Sequence, residues 1–417
     1  MLFTKKINGA VTKYKFLGIT ILRVKKTDIM TEYKLLGISV NKTTIPPDKK
    51  LDNKKLIEIC SDKEVTLFFD LSLGGGTESY FFNILDKTRY NNSIVRVQYL
   101  RSFKTYKITL FDKKMEYILI LKNLSLVEKF ISKIPLSKII VNNLVTWPNT
   151  YAVLELICRL KKDNVIVSIR GHDFFPVCPF FNLTKNGKFC GIPLGKGCSE
   201  CFPTNKHDDI SVSPGIEIDV WRDKWNYFLK NYADEIIVFS QSGRDIFTKV
   251  YPCLSNKIKI VLHDIPFLRT VKIPAHKNIN IGILGSITRQ SKGSDILTEI
   301  ESYIETISDI NMVVIGNYNN KTEKTKVIGE YKREQLPNIL EKNEIDIIFI
   351  PSIWPETFSY TTSEAIIMDM PVACFNLGAP AERISVYKKG LIISTIDAKS
   401  AIYEIKKFIT AGLHHGN

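Results

Sequence analysis

Short runs of β-branched and aromatic residues alternate with helix-like segments from about residue 60 onward, and this alternation constrains the fold more than any other feature. The runs lie at residues 65–69, 139–141, 165–168, 236–239, 279–284, 312–315, 345–350, 372–375 and 391–394. Continuous apolar runs of this length are typical of parallel strands that are buried on both faces, with helices as the crossovers between them. The pattern therefore predicts an α/β fold built on parallel sheets.

A proline-containing stretch at residues 266–274 interrupts the alternation, which restarts at residue 279. A chain of 417 residues is long enough for more than one domain. We therefore predict two Rossmann-like domains in tandem, at residues 56–270 and 275–417. Ligands of doubly wound sheets bind beyond the carboxyl ends of the strands, so a cleft between the two domains is the expected reaction site.

Residues 1–55 form a small basic N-terminal module with a short repeat. Tyr-Lys-Phe-Leu-Gly-Ile begins at Tyr14 and Tyr-Lys-Leu-Leu-Gly-Ile begins at Tyr33, and each copy resembles a strand edged with lysine. A polar linker at residues 46–49 follows the module.

The net charge of the chain is +15, and residues 1–60 hold thirteen Lys and Arg against five Asp and Glu. This excess suits an anionic membrane surface or a nucleic acid. The base composition of an AT-rich genome is the alternative explanation.

No apolar run reaches the roughly 18 to 20 residues that a bilayer-spanning helix needs, and no signal-peptide core follows Lys5 and Lys6. We therefore expect a cytoplasmic protein, with the basic module as a peripheral contact to the cytoplasmic face of the membrane. In that compartment the eight cysteines are not expected to form disulfides.

Two glutamates separated by seven residues follow the run that ends at Ile350. The segment reads Pro351-Ser-Ile-Trp-Pro-Glu356-Thr-Phe-Ser-Tyr-Thr-Thr-Ser-Glu364-Ala365, and a helix is expected to begin near residues 359–361. Carboxylates at such a helix start accept hydrogen bonds from sugar hydroxyls, and the free backbone N–H groups favour a diphosphate. The alternative is that Glu356 merely stabilises the first helical turn and that Glu364 is a solvated helix residue.

A glycine-containing turn offers a second phosphate-binding element. Gly282-Ile-Leu-Gly285-Ser-Ile-Thr-Arg289-Gln-Ser-Lys292-Gly293 lies between a predicted strand and a predicted helix. Glycine lets the backbone approach a ligand closely, and Lys292 adds a mobile positive charge. Taken alone, the segment could equally be a plain surface turn.

Together these motifs resemble glycosyltransferase family 4, among the group 1 glycosyl transferases, most clearly over residues 279–395. The resemblance implies a GT-B fold, in which two Rossmann-like domains face a cleft, and a nucleotide sugar as co-substrate. It also implies transfer with retention of the donor's anomeric configuration.

By the same resemblance, Glu356 would lie beside the donor sugar and Glu364 would hold the ribose. The amides of Thr357, Phe358 and Ser359 would face the donor sugar and the diphosphate. The turn with Gly285 and Lys292 would contact the diphosphate. The family often has Arg directly after the glycine, where this chain has Ser286, and Arg289 is the candidate substitute.

The predicted N-terminal domain offers two acceptor-side elements. Leu73-Gly-Gly-Gly-Thr-Glu78 resembles the glycine-rich turn that faces the cleft in these enzymes, with Gly75 and Gly76 as the facing residues. His172 and Asp173 follow the run at 165–168, where a His–Asp pair can orient a sugar hydroxyl or accept its proton. A histidine satisfied by local hydrogen bonds is the alternative to a catalytic His172.

Four of the cysteines cluster in a predicted insertion at residues 174–205. Cys178, Cys190, Cys198 and Cys201 are separated by eleven, seven and two residues. A Cys-x-x-Cys pair is typical of tetrathiolate sites, so a structural zinc ion is the leading interpretation. Iron–sulfur ligation and buried, unligated cysteines stay open. A similar insertion occurs in a subset of bacterial polysaccharide glycosyltransferases, where it would shape the acceptor side.

We therefore predict a retaining, hexosyltransferase-like enzyme that extends a bacterial surface polysaccharide or a lipid-linked oligosaccharide. No Asp-x-Asp metal turn lies in a suitable strand context, so no catalytic divalent metal is expected. A catalytically inactive sugar-nucleotide-binding or scaffold protein of the same fold stays open. A nucleic-acid-binding zinc protein is disfavoured because the basic excess is far from the cysteines. A nicotinamide-dependent dehydrogenase is disfavoured because the glycine turn lacks the Gly-x-Gly-x-x-Gly spacing.

Overall fold

The computed structural model describes residues 3–8, 11–16, 19–27, 30–35, 38–44, 52–145, 147–205, 216–319 and 322–413. The chain divides into two compact units. The first comprises Met1–Phe68 and Lys87–Ser137, and the second comprises Phe69–Asp86 and Lys138–Asn417. The linker predicted at residues 46–49 lies outside the described residues. The domain boundary predicted near residue 270 falls inside the second unit and stays a prediction.

The first unit opens with five strands, each antiparallel to the next. They are β1 (Phe3–Asn8), β2 (Val11–Phe16), β3 (Ile19–Thr27), β4 (Met30–Leu35) and β5 (Ile38–Thr44). Each copy of the sequence repeat contains the last residues of one strand and the first residue of the next, antiparallel strand. In the register, Lys6 is paired with Lys13, Lys13 with Arg23, and Arg23 with Lys34, so four basic residues form one row across the sheet.

The next elements include a second antiparallel arrangement that the sequence pattern did not predict. They are α1 (Asn53–Cys60), β6 (Val65–Asp70), α2 (Gly76–Thr88), β7 (Ser93–Leu100), β8 (Thr105–Asp112), β9 (Met115–Leu121) and α3 (Leu124–Ile131). Strands β7, β8 and β9 pair antiparallel, although only parallel strands were expected. The connections at residues 101–104 and 113–114 are too short for the crossover that parallel neighbours require, a dozen residues or more.

The second unit contains a parallel sheet in the order β15-β14-β11-β10. The elements of this region are β10 (Leu136–Val141), α4 (Thr150–Leu160), β11 (Ile166–Arg170), β12 (Thr184–Lys185), β13 (Lys188–Phe189), α5 (Gly195–Thr204), α6 (Ile218–Asn231), β14 (Glu235–Val238), α7 (Gln241–Val250) and β15 (Ile258–Ile260). Strands β12 and β13 form a hairpin inside the cysteine-rich insertion.

A separate six-stranded parallel sheet follows, in the order β18-β17-β16-β19-β20-β21. Its elements are β16 (Ile279–Leu284), α8 (Ser294–Ile304), β17 (Ile310–Ile315), β18 (Thr325–Val327), α9 (Leu336–Lys342), β19 (Ile347–Ile350), α10 (Tyr360–Ile367), β20 (Val372–Phe375), α11 (Gly378–Ile384), β21 (Gly390–Ile393) and α12 (Ala398–Leu413). The chain proceeds outward from β16 through β18 and then returns to β19, beside β16. The strand order thus reverses between β16 and β19.

Both faces of this second sheet are buried, which explains the continuous apolar runs. In β19, Ile347 and Phe349 pack into one core with residues of α8 and α12. Ile348 and Ile350 pack into the opposite core with residues of α9, α10 and α11. Each such fully buried side chain contributes roughly 1.5–3 kcal/mol relative to exposure. Among the described helices, none combines the length and the apolarity needed to cross a bilayer.

Candidate functional site

The predicted donor residues lie at the point where the strand order of the six-stranded sheet reverses. Residues 285–293 follow β16, and residues 351–359 follow β19, its parallel neighbour. Ligands of open parallel sheets bind at such a reversal, beyond the carboxyl ends of the strands. We call these two loops, together with the first turn of α10, the switch-point site.

A buried ion pair joins the two loops of the switch-point site. Glu356 is 4 % exposed, and its Oε1 accepts a hydrogen bond from Lys292 Nζ at 2.7 Å and another from the Ser352 hydroxyl. The close approach depends on Gly293, whose φ of 87° lies in the left-handed region. A Cβ at Gly293 would lie 2.2 Å from the Pro351 carbonyl oxygen. The structure therefore brings together Lys292 and Glu356, two of the residues predicted to bind the donor.

A second ion pair holds Glu364 within the same region. Glu364 is 4 % exposed, and its Oε1 accepts a hydrogen bond from Arg333 Nε at 2.6 Å. The Arg333 guanidinium also lies 5.4 Å from the centroid of the Tyr360 ring. The alternative in which Glu364 is a solvated helix residue is therefore wrong.

Helix α10 begins where the sequence predicted, with Ser359 as its N-cap. The Ser359 hydroxyl accepts from the backbone N–H of Thr362 at 3.3 Å. Within the described part of the chain, the backbone N–H groups of Thr357, Phe358 and Ser359 have no hydrogen-bond acceptor. Three consecutive unpaired amides at the positive end of a helix form a site that favours an anion.

Gly285 and Arg289, two other predicted residues of the first loop, differ in their hydrogen bonds and exposure. Gly285 has a φ of 101° and donates its N–H to the Ile315 carbonyl at 2.9 Å. Arg289 is exposed, and its carbonyl accepts from the N–H groups of Lys292 and Ser294. The proposed role of Arg289 as a phosphate ligand stays a prediction.

His172 is held in one tautomer by a chain of polar groups that ends at a carboxylate. Asn142 Nδ2 donates to Asp70 Oδ1 at 3.0 Å, which turns Asn142 Oδ1 toward His172 Nε2, also at 3.0 Å. Since the amide oxygen can only accept, Nε2 carries the proton and Nδ1 carries the lone pair. Burial, with smaller effects from His263 and Arg170, holds the pKa of His172 well below its ordinary value. The imidazole is therefore neutral at pH 7.

The backbone carbonyl of His172 contacts the switch-point site, whereas the Asp173 carboxylate accepts hydrogen bonds from other residues. The Thr357 hydroxyl donates to the His172 carbonyl oxygen at 2.7 Å. The Asp173 carboxylate accepts from Asn143 Nδ2 at 2.7 Å and from the Phe175 N–H at 2.9 Å. Burial raises the pKa of Asp173 to about 6.

The predicted glycine turn also lies beside α10. Gly75 has a φ of 84° with open space around it, and Gly76 is the first residue of α2. A Cβ at Gly76 would lie 3.3 Å from Cε2 of the Tyr360 ring, so this turn and the start of α10 are neighbours.

A second histidine, which the sequence patterns did not single out, packs against the start of α10. His263 Nδ1 is 2.8 Å from the Tyr360 hydroxyl, and its ring stacks on Phe358 at 4.1 Å between centroids. Burial, and then the charge of Arg383, lowers the pKa of His263 to about 3. His263 follows β15 just as His172 follows β11, so the same strand-end rule could have found it.

Helix α11 supplies two further residues that sequence reasoning missed. Arg383 Nη1 donates to the Ser363 hydroxyl, and its Cζ lies 4.7 Å from the centroid of the Phe358 ring. The neighbouring Glu382 carboxylate accepts from the N–H groups of Gln241 and Ser242, at 3.0 and 2.9 Å, and so caps α7. No local motif marks either residue.

The four clustered cysteines line one cavity of about 650 Å³. Cys198 Sγ accepts a hydrogen bond from Arg222 Nη2 at 3.3 Å, and burial raises the pKa of Cys178 to about 12. Within the ranges that the structure describes, no group of three His, Cys, Asp or Glu side chains is positioned to hold a metal ion. The residues of the predicted zinc site, Cys178, Cys190, Cys198 and Cys201, thus line one cavity, and the zinc ion itself stays a prediction.

The insertion that carries these cysteines lies against the first loop of the switch-point site. Gly187, at the turn between β12 and β13, has a φ of 70°, and a Cβ there would lie 3.1 Å from Gln290 Nε2. Gln290 in turn donates to Asp295 Oδ2 at 2.7 Å. The insertion was expected to shape the acceptor side, and the structure adds a contact beside Lys292.

Residues 268–415 match the family described as Glycosyl transferases group 1. No curated protein matches the chain at a significant level of sequence similarity.

Solved structures with similar folds have low sequence identity to the chain. An Anabaena protein, Alr3699/HepE in complex with UDP-glucose, is 13 % identical with a TM-score of 0.50, over 84 % of this chain and 89 % of that one. Sucrose-phosphate synthase from Thermosynechococcus elongatus is 12 % identical with a TM-score of 0.53, over 84 % and 90 %. A glycosyltransferase from Rickettsia africae ESF-5 is 14 % identical with a TM-score of 0.52, over 84 % and 89 %.

The resemblance that the two-glutamate segment suggested is confirmed at the level of the group 1 family and of the fold. Residues 268–415 therefore match the group 1 glycosyl transferases, and the fold of the chain is the GT-B fold.

Proposed function

We propose that the chain transfers a sugar from a nucleotide-sugar donor to a hydroxyl group of a growing glycan, with retention of the donor's anomeric configuration. The observation that carries this proposal is the start of α10, where three consecutive amides lack acceptors among the described residues. Two buried glutamate–cation pairs flank them. Such a combination suits a ligand that has both an anionic diphosphate and neutral hydroxyl groups.

Each part of the site has a role in this proposal. Lys292 and the amides of residues 357–359 bind the diphosphate, with Arg289 as a further candidate. Glu356 accepts a hydrogen bond from the donor sugar, and Glu364, fixed by Arg333, accepts from the ribose. The Anabaena protein of similar fold is complexed with UDP-glucose, so UDP-sugars are the first donors to test.

In the proposed reaction, the bond between the anomeric carbon and the diphosphate oxygen breaks, and the acceptor oxygen bonds to that carbon from the same face. The proton of the acceptor hydroxyl passes to the departing phosphate oxygen. Stabilisation of the leaving group's charge is the main task, which donors fixed in advance perform without reorganisation. Lys292 and the helix start supply those donors.

His172 in this scheme orients a hydroxyl group through the lone pair on Nδ1. Its lowered pKa makes the imidazole a weak proton acceptor at pH 7, which favours the departing phosphate as the base. Gly75, where an added Cβ would meet no atom within 4 Å, leaves open space for the acceptor or the donor sugar, and Gly76 lets the turn approach the Tyr360 ring closely.

We also propose that the acceptor is a bacterial surface polysaccharide or a lipid-linked oligosaccharide at the cytoplasmic face of a membrane. The row formed by Lys6, Lys13, Arg23 and Lys34 in the register of the N-terminal sheet supports a contact with anionic lipid. Replacing all four residues by Gln should weaken cosedimentation with vesicles that contain phosphatidylglycerol, and vesicles of phosphatidylcholine are the control. Unchanged binding to the anionic vesicles would discard the membrane contact.

The test of the proposed function is a screen of the purified protein against UDP-, GDP-, dTDP- and CMP-sugars, by thermal shift and by donor hydrolysis. Glu356→Ala is measured alongside, with Glu299→Ala as the matched control because Glu299 is an exposed residue of α8. A selective shift with slow hydrolysis that Glu356→Ala alone reduces would support the transferase. Binding without hydrolysis or transfer would favour the inactive sugar-nucleotide-binding protein instead, and no binding to any donor would contradict both.

A further inference from the structure

Arg383 lies beside the switch-point site and differs from Lys292 and Arg333 because, among the described residues, its charge has no carboxylate partner. Lys292 is neutralised by Glu356, and Arg333 is neutralised by Glu364. Among the described residues, no carboxylate lies within ion-pair distance of Arg383, whose side-chain hydrogen bond goes to the neutral Ser363 hydroxyl. The adjacent Glu382 carboxylate is engaged at the start of α7.

Because Arg383 is partly buried, the lack of a carboxylate partner is unfavourable in free energy. The residue is partly buried, and its guanidinium group lies over the Phe358 ring. A guanidinium group has five N–H donors in a planar fork, of which Ser363 engages one. A partly desolvated cation with unused donors is stabilised when an anion binds beside it.

The groups around Arg383 point to the same kind of ligand. Ser363 lies one turn after the N-cap of α10, and its N–H donates to the Ser359 carbonyl. Phe358, which packs against the guanidinium, is the middle residue of the three with unpaired amides. His263 also stacks on the Phe358 ring; it is 8 % exposed, and its Nε2 has no partner among the described residues. Polar groups without partners therefore surround one short stretch of chain.

We propose that Arg383 binds the diphosphate of the nucleotide-sugar donor, together with the amides at the start of α10. This assignment rests on the proposed function. Ser363 and Phe358 hold the guanidinium group in a fixed orientation, so that its remaining donors are available for two phosphate oxygens. Planar, bidentate contacts of this kind distinguish Arg from Lys at phosphate sites.

A merely structural role for Arg383 would have different consequences. If the residue served only to pack against Phe358 and Ser363, its loss would weaken every ligand of the site by a similar factor. If Arg383 contacts phosphate, its loss weakens ligands in proportion to their phosphate groups. The comparison of a nucleoside diphosphate with its nucleoside separates the two roles.

The experiment measures dissociation constants by isothermal titration calorimetry for the full chain and for Arg383→Gln, Arg383→Lys and Ser363→Ala. The probes are UDP, GDP and dTDP with the corresponding nucleosides. Arg269→Gln is the matched control, because Arg269 is an exposed arginine that pairs with Glu341 in the same unit. Thermal unfolding without nucleotide checks that each variant is folded.

We expect Arg383→Gln to weaken the affinity for the nucleoside diphosphate at least about tenfold, which corresponds to about 1.4 kcal/mol. The affinity for the nucleoside should change less than about twofold. Arg383→Lys should restore only part of the loss, and Ser363→Ala should cause a smaller loss of the same kind. Equal losses for diphosphate and nucleoside, or an unchanged diphosphate affinity, would overturn the assignment. Failure of the unaltered chain to bind any of the diphosphates would overturn the proposed function itself, and the assignment with it.

Discussion

The ion pair between Lys292 and Glu356 allows a quantitative prediction about the switch-point site. At 2.7 Å and an effective dielectric constant of about 20, the Coulomb attraction alone is about 6 kcal/mol. Most of this is offset by desolvation, since charge-assisted hydrogen bonds contribute about 1.5–3 kcal/mol net. The Lys292 side chain is 38 % exposed and the Glu356 side chain 5 %, which favours the lower end of that range. We expect a coupling energy of about 1.5 kcal/mol.

The coupling is measured with the variants Lys292→Met, Glu356→Gln and the double variant. Lys292→Met should be the more destabilising of the two single changes, because it leaves a carboxylate that is 4 % exposed with the Ser352 hydroxyl in place of a cation. Urea unfolding followed by tryptophan fluorescence gives the differences in unfolding free energy at one common urea concentration. The double variant should then lose less stability than the sum of the two single losses.

The same variants test how the pair of Lys292 and Glu356 affects donor binding. The diphosphate competes with Glu356 for the Lys292 ammonium group, so Glu356→Gln should bind UDP at least as tightly as the unaltered chain while transferring sugar more slowly. Lys292→Met should weaken the affinity for UDP about tenfold. Unfolding effects that add within about 0.5 kcal/mol would refute the ion pair as an energetic unit. Equal losses of UDP affinity in both single variants would refute the competition.

Three further predictions concern Gly378, His263 and the cysteines. Gly378 has a φ of 61°, and a Cβ there would lie 2.5 Å from the Pro355 carbonyl carbon, so Gly378→Ala should displace Glu356 and weaken donor binding about tenfold. Gly412→Ala, with no atom within 4 Å of the added Cβ, should leave donor binding unchanged in the same titration. Burial lowers the pKa of His263 to about 3, and Arg383 adds to the effect, whereas the unfolded chain takes up the proton near pH 6.5. The resulting stability is present above pH 6.5 and is lost as the pH falls toward 3, so His263→Phe should flatten the fall of the urea midpoint between pH 6.5 and 4.5. An unaltered slope would show that other groups cause the fall. Titration with a thiol reagent in guanidinium should find eight free thiols because none of the eight cysteines forms a disulfide, and fewer than eight would contradict this.

Local sequence patterns predicted five strands of the six-stranded sheet because both faces of those strands are buried, whereas the short strand β18 was not predicted. The runs at 279–284 and 372–375 coincide with β16 and β20, and the start of α10 follows from the capping chemistry of Ser359. The two-glutamate segment identified the second loop of the switch-point site for the same reason, since its residues are neighbours in the chain. These features depend on interactions within about one turn or one strand.

Features that depend on distant parts of the chain could not be predicted in this way. Arg333 reaches Glu364 across 31 residues, and His263 reaches Tyr360 across 97. The antiparallel strands β7 to β9 were missed because apolar runs alone do not give strand direction, which the short connections decide. The spacing of the cysteines indicated that they share one region, but not how their side chains point within it.

Helix α11 places two roles on adjacent residues. Glu382 caps α7, which belongs to the first parallel sheet of the second unit, while Arg383 reaches the start of α10 in the other sheet. A seven-residue helix is short and stiff, so a displacement at one of these side chains also moves the other. Under the proposed function, a diphosphate bound at Arg383 would therefore also affect the cap that Glu382 forms on α7. Release of the nucleotide would then be coupled to the contact between Glu382 and the start of α7.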